Sequence, residues 1–299
     1  MTSFSSWDDY FYPGTEVLKN TPGITDAAKL AEFEFGAAAF ELSNMLTREP
    51  VEGNFDRSHM KAIHRRIFGR VYEWAGQERV APVNRQMSKG GPRPESIAAG
   101  NYTSHDGYPY YYYPANDDMA PHFDRQVRAL HSYGNMSSES SRSFAEKIAE
   151  PWGEINVAHI FREGNTRTQV AFFTKFARHH SHDLDFDRFT TDPDFRAKFN
   201  AGRFLIQALI GDELFKEVLV EALEGSSDAA ANPVVPRESL TSDDYQPNRA
   251  DIPYDPKYIQ GTNPKRYGFH SSICGAETSK KTRCRNSPNC FHHRGGRVQ

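Results

Sequence analysis

The residues best suited to chemistry lie together in His159-Ile160-Phe161-Arg162-Glu163-Gly164-Asn165-Thr166-Arg167. A histidine ends an amphipathic stretch. An acid, a glycine and an asparagine follow, and an arginine opens the next helical stretch. A helix N-terminus presents free N–H groups and a positive dipole end, so it holds phosphate. Gly164 lets the backbone approach an anion closely, and Arg167 can pair with phosphate oxygens through two parallel hydrogen bonds. Glu163 is a ligand for Mg2+ held between phosphates, and His159 can take a proton from an incoming hydroxyl. These are the parts of a transfer from a nucleotide. A plainer reading fits the same residues. His159 continues the apolar stripe of Phe144, Ile148 and Ile155 and can be a core residue, while Glu163 and Arg167, four apart, can form an ordinary helix ion pair.

A second cluster lies near the C-terminus. Cys274, Cys284, Cys290 and His293 have the ligand types and number of a structural Zn2+ site. The alternative is three free thiols in an unstructured end, and His292 is an alternative fourth ligand. These three are all the cysteines in the sequence, an odd and clustered set that suits a metal and a reducing compartment better than a disulfide framework. Residues 254–299 carry nine Lys/Arg against Asp255 and Glu277, a local charge of +7, so the remainder carries −10 and the whole −3. The basic tail suits contact with nucleic acid or an acidic partner, and equally a solvated surface.

Residues 1–225 read as a globular, mainly helical domain that must position the first cluster. Thr25 is a plausible N-cap for a helix to about Leu46, with Leu30, Phe33, Ala37 and Phe40 as its apolar face. A second helix is expected from Ser58 to about Trp74, a third around Phe123, Val127 and Leu130, and a fourth through Phe144, Ile148, Trp152 and Ile155. Pro151 predicts a kink or break in the fourth, because an interior proline costs ~3 kcal/mol. Residues 168–180 and 203–223 read as further helices. The best strand signal, Arg79 to Met87 ahead of Lys89-Gly90-Gly91, predicts a short hairpin or extended flap. Tyr108 to Pro114 reads as an aromatic loop, with Tyr110 to Tyr113 either a structural lid or a site of modification or target contact. Residues 226–268, punctuated by prolines, read as a linker, and 269–299 as a small zinc module.

Composition sets outer limits. Hydrophobic residues at 37% and aromatics at 13% can build a core, which excludes wholesale disorder. No apolar run approaches the ~18 residues that span a bilayer. The N-terminus lacks a secretory signal pattern, so a cytoplasmic location is expected, with a translocated effector left open.

The stretch from His159 to Arg167 resembles the Fic family signature H-x-F-x-(D/E)-G-N-(G/K)-R, matched at His159, Phe161, Glu163, Gly164, Asn165 and Arg167. The segments Tyr12 to Asn20, Gly53 to Asp56, Met60 to Arg65, Tyr72 to Gly76 and Phe144 to Glu146 resemble the same family, so the likeness runs over about residues 10–223. The resemblance implies a Fic-fold helical domain with a short β-hairpin flap, acting as a protein adenylyltransferase. His159 would be the general base for a target hydroxyl that attacks the α-phosphate of ATP. Glu163 would hold Mg2+ between the α- and β-phosphates. Gly164, Asn165 and Thr166 would line the phosphate nest, Arg167 would hold the outer phosphates, and Phe161 would anchor the loop. The flap, through Val83, Met87, Lys89 and Gly90, would hold the target by strand-like pairing.

Two positions depart from the signature. Ile160 stands where proline is common. Thr166 is neither the usual glycine nor the lysine of the phosphate-transferring death-on-curing branch, which favours nucleotidyl transfer but leaves nucleotide choice open. The family's inhibitory pattern (S/T)-x-x-x-E-(G/N) is absent from the sequence, so a separate small antitoxin, as in class I members, is the expected partner besides the target protein. The tail likewise resembles small bacterial zinc modules. The contrasting reading is a catalytically degenerate Fic scaffold that binds a partner or nucleic acid through its zinc tail.

Overall fold

The computed structural model describes residues 4–82, 87–115 and 119–225. Val83, the linker and the Cys274, Cys284, Cys290 and His293 set lie outside the described residues. After a 3-10 turn at Trp7–Tyr10, the helices are α1 (Ala27–Thr47), α2 (Arg57–Phe68), α3 (Pro94–Ala98), α4 (Met119–Ser132), α5 (Ser141–Ala158), α6 (Asn165–His179), α7 (Phe186–Thr191), α8 (Pro193–Gln207) and α9 (Glu213–Gly225). Two short strands, β1 (Ser88–Gly91) and β2 (Tyr108–Tyr111), pair antiparallel with Ser88 opposite Tyr111 and Gly91 opposite Tyr108. No helix among the described residues is long and apolar enough to cross a membrane.

The molecule is built around α5, which packs against α4, α6, α8 and α9. Twelve of the fifteen residues from Phe144 to Ala158 are buried, including all from Pro151 onward. Trp152 stacks on Phe173 of α6, with ring centroids 4.1 Å apart, and meets Phe199 of α8 and Phe215 of α9 edge-on. Helix α5 runs unbroken through Pro151, against expectation. The lost hydrogen bond and ring clash cost ~3 kcal/mol, and the burial of large apolar side chains along the whole helix offsets that.

Four other expectations change. Helix α1 is capped by Asp26, whose side chain accepts from Lys29 N, and its buried face is Leu30, Glu34, Ala38, Glu41, Leu42 and Met45. Phe33 and Phe40 are 39% and 57% exposed. The second helix stops at Phe68, where Gly69 caps it and the amides of Val71 and Tyr72 turn back to Phe68 O. The stretch 203–223 is two helices, parted where Leu209 adopts φ 59°. The strand partner of 88–91 is not a neighbouring segment but the aromatic run 108–111, so that run is a strand as well as a loop.

Candidate active site

The two ends of α5 and α6 meet at the sequence motif. His159 is the C-cap of α5 and adopts the left-handed conformation, φ 46° and ψ 56°. A non-glycine residue holds that conformation at a cost of roughly 1–2 kcal/mol, so its surroundings must fix it. The buried Arg79 does so: its Nε donates to His159 O at 2.5 Å, its Nη2 donates to Tyr113 O and Ala158 O, and its own N–H donates to Ile160 O at 2.8 Å. Burial lowers the Arg79 pKa to about 10, so it stays cationic at neutral pH. Tyr112 stacks on the His159 imidazole with centroids 3.6 Å apart and planes 20° apart, and Tyr112 N donates to Met87 O at 2.9 Å.

The imidazole is buried. Its pKa lies well below the ordinary value, first because burial disfavours the charged ring, then because Arg79, Lys89 and Arg203 add positive charge; the Asn156 carbonyl opposes this and is outweighed. His159 is therefore neutral at pH 7 and able to accept a proton.

The loop from Phe161 to Asn165 is closed on itself. Asn165 Oδ1 accepts from Phe161 N at 3.0 Å, and Asn165 Nδ2 donates to Phe161 O at 2.8 Å. Phe161 is buried and stacks on His64, centroids 3.8 Å apart. His64 ties the loop to α2: Nδ1 accepts from Gly76 N at 2.8 Å, which leaves Nε2–H to donate to Glu163 O at 3.0 Å. This tautomer requires a neutral ring, and burial holds the His64 pKa near 3. Gly164, the N-cap of α6, has φ 77°. A Cβ there would also lie 2.3 Å from the Phe68 ring, so both conformation and space exclude other residues.

Arg167 sits in the first turn of α6. It does not pair with Glu163; its Nη2 donates to Glu34 Oε1 of α1, and Tyr72 donates to Glu34 Oε2. The guanidinium also lies over the Phe68 ring at 4.6 Å. Sequence reasoning gave Glu34 and His64 no site role, placed Arg79 only at the start of the flap, and read Tyr112 only within the Tyr110–Tyr113 run, as a lid or a site of modification or target contact. The available signal was two glutamates at helical spacing within the inward face of α1.

Glu163 is half-buried, and its Oε1 accepts from Gly164 N at 2.9 Å. Among the described residues no group of three His, Cys, Asp or Glu side chains converges. A single carboxylate beside a phosphate nest suits Mg2+, which takes most of its ligands from substrate phosphates and water. In the flap, Lys89 and Gly90 are exposed, whereas Met87 is 1% exposed and faces the core. Tyr110 is buried, stacks on Phe204 and donates to Pro92 O at 2.6 Å.

A Fic/DOC family model matches residues 54–177, which include the whole loop. The chain is 35% identical over 182 residues to the protein adenylyltransferase VbhT of Bartonella schoenbuchensis, an alignment covering 60% of this chain and 33% of that one. It is 33% identical over 182 residues to the probable protein adenylyltransferase y4lH of Sinorhizobium fredii, covering 60% of this chain and 79% of that one. The match thus spans about a third of VbhT but most of y4lH. The N-terminal Fic domain of a Bartonella quintana effector, solved with bound ADP, superposes with a TM-score of 0.58 at 25% identity, covering 71% of this chain and 93% of that one. Sequence, loop geometry and helical frame agree, and the chain belongs to the Fic/DOC family.

Proposed function

We propose that the protein is an adenylyltransferase that moves AMP from ATP to a hydroxyl side chain of a target protein. The observation that carries this reading is a neutral, buried His159 fixed at the end of α5, directly ahead of a phosphate-type loop and the N-terminus of α6. Naming of the relatives as protein adenylyltransferases supports it, as does ADP in the related Bartonella quintana domain.

In this reading ATP phosphates lie on the free N–H groups of the Gly164–Thr166 turn, and Arg167 takes the outer phosphates. Mg2+ held by Glu163 would offset phosphate charge. Nε2 of His159 takes the proton of the target hydroxyl as its oxygen bonds to the α-phosphorus. The bond to the bridging oxygen breaks and pyrophosphate leaves. Stacking on Tyr112 and the Arg79 bond to its carbonyl keep His159 oriented, so catalysis is mainly positioning and electrostatics. The exposed Lys89-Gly90 edge of β1 would pair with a strand of the target. The test is product identity: ATP turnover with target-containing lysate should release pyrophosphate rather than phosphate, and His159→Ala should release neither above background. Phosphate release by the wild type above the His159→Ala background, with the lysate depleted of pyrophosphatase, would overturn the reading.

Two finer readings go with it. A separate antitoxin would restrain the enzyme, since no (S/T)-x-x-x-E-(G/N) segment occurs in the sequence; co-expression with the neighbouring reading frame should yield a stoichiometric complex. Cys274, Cys284, Cys290 and His293 would hold one Zn2+; metal analysis of the full chain should find one equivalent, lost on Cys284→Ser.

A further inference from the structure

Arg203 of α8 is 5% exposed. Its Nη1 donates to Asn156 Oδ1 and to Thr166 Oγ1, both at 3.2 Å. Its Nη2 donates to Thr166 Oγ1 at 3.3 Å and to Asn200 Oδ1. Its Nε is buried without a hydrogen-bond partner among the described residues, and the guanidinium carbon lies 4.4 Å from the Phe199 ring centroid. Every one of these partners is neutral. Buried arginines are ordinarily matched to an anion, because an unpaired charge out of water costs several kcal/mol. Of the two neighbouring arginines only Arg167 is matched to an anion, the Glu34 carboxylate; Arg79, like Arg203, has neutral partners, but they are backbone carbonyls inside the protein.

The position of Arg203 says where an anion would come from. Thr166 and Asn200, which it bonds, are half-buried, so this cluster lies next to the surface at the start of α6. Thr166 is the second residue of α6, so the guanidinium lies beside the free N–H groups of that helix. Its charge also reaches the His159 ring and Tyr112. Thr166 is the position at which the loop departs from the glycine of the family signature. Its hydroxyl accepts from both Nη atoms, which fixes the guanidinium plane.

We propose that Arg203, oriented by Thr166, binds a phosphoryl oxygen of the donor nucleotide, so that the phosphates are gripped by Arg167 on one side of α6 and by Arg203 on the other. This rests on the nucleotide-donor reading above. The experiment is a calorimetric titration of the full chain with ATP and, separately, adenosine, both with Mg2+, for wild type, Arg203→Met and Arg203→Lys. Loss of a charge-assisted bond to phosphate should weaken ATP by roughly tenfold to a hundredfold in Arg203→Met, while adenosine changes by less than about twofold; Arg203→Lys should keep part of the ATP affinity. An unchanged ratio of ATP to adenosine affinity, whether both hold or both fall together, overturns the proposal and leaves the transferase reading standing. Failure of the wild type to bind ATP overturns both. If Arg203→Met does not fold, the same ratio in Arg203→Lys decides, because the lysine keeps charge but loses the second bond.

Discussion

His159 and Gly164 carry the most concentrated constraints. Gly164→Ala would place a methyl group in a left-handed conformation and against Phe68. We expect it to cost at least ~1–2 kcal/mol of stability, read as a lower urea midpoint, and to abolish ATP binding; full ATP affinity would contradict the nest. For His159 the sign is set by its depressed pKa. The neutral, proton-accepting form persists as pH falls below the ordinary imidazole range, so the acid limb of kcat/KM should lie below pH ~6.5. A limb at or above that value would mean that the buried His159 is not the proposed base. The contiguous stretch His159 to Arg167 made the chemistry legible in sequence. The residues that hold it were less legible, because His64, Arg79 and Glu34 reach the loop from 99, 80 and 133 positions away.

At the scale of elements, periodicity read several helices well and half of the α1 face: Leu30 is buried and Ala37 packs against the core, but Phe33 and Phe40 are exposed. Phe33 and Phe40 were expected inside because they are apolar. Glu34 and Glu41 are inside because Arg167, Arg66 and Arg70 meet them. An ion-paired carboxylate looks polar in a sequence, and its partner lies on another helix. This pairing gives a prediction. Glu34→Gln removes the charge that pairs with Arg167 and leaves one oxygen where two accept, one from Arg167 and one from Tyr72; it should cost about 1–3 kcal/mol, since Arg167 stays partly solvated. A chemical melt with no loss of stability would show that α1 does not anchor α6. The β1–β2 pairing was also hidden: β2 contains Pro109, which argues against a strand although its tyrosines favour one. Packing of Tyr110 on Phe204 and the bond from its hydroxyl to Pro92 O hold it as a strand instead.

Across the whole molecule, buried neutral histidines link stability to pH. His64 has a folded pKa near 3 against ~6.5 unfolded, and His59 and His159 are lowered in the same sense. Between those values the unfolded chain binds protons that the folded chain does not. Stability is therefore complete above pH ~6.5 and falls as pH drops, by up to ~1.4 kcal/mol per unit for each such histidine. Urea melts at pH 7 and pH 5 should differ accordingly; equal midpoints would contradict the buried neutral state. The sequence divides its charge at this scale, +7 over residues 254–299 against −10 over the rest.

The central claim is AMP transfer with His159 as base. The most direct measurement incubates the full chain with Mg2+, target-containing lysate and ATP labelled on either the α- or the γ-phosphate, beside His159→Ala. The account predicts a labelled protein band from the α-label alone, made by the wild type and not by His159→Ala. A band from the γ-label, or an α-labelled band undiminished in His159→Ala, would contradict it.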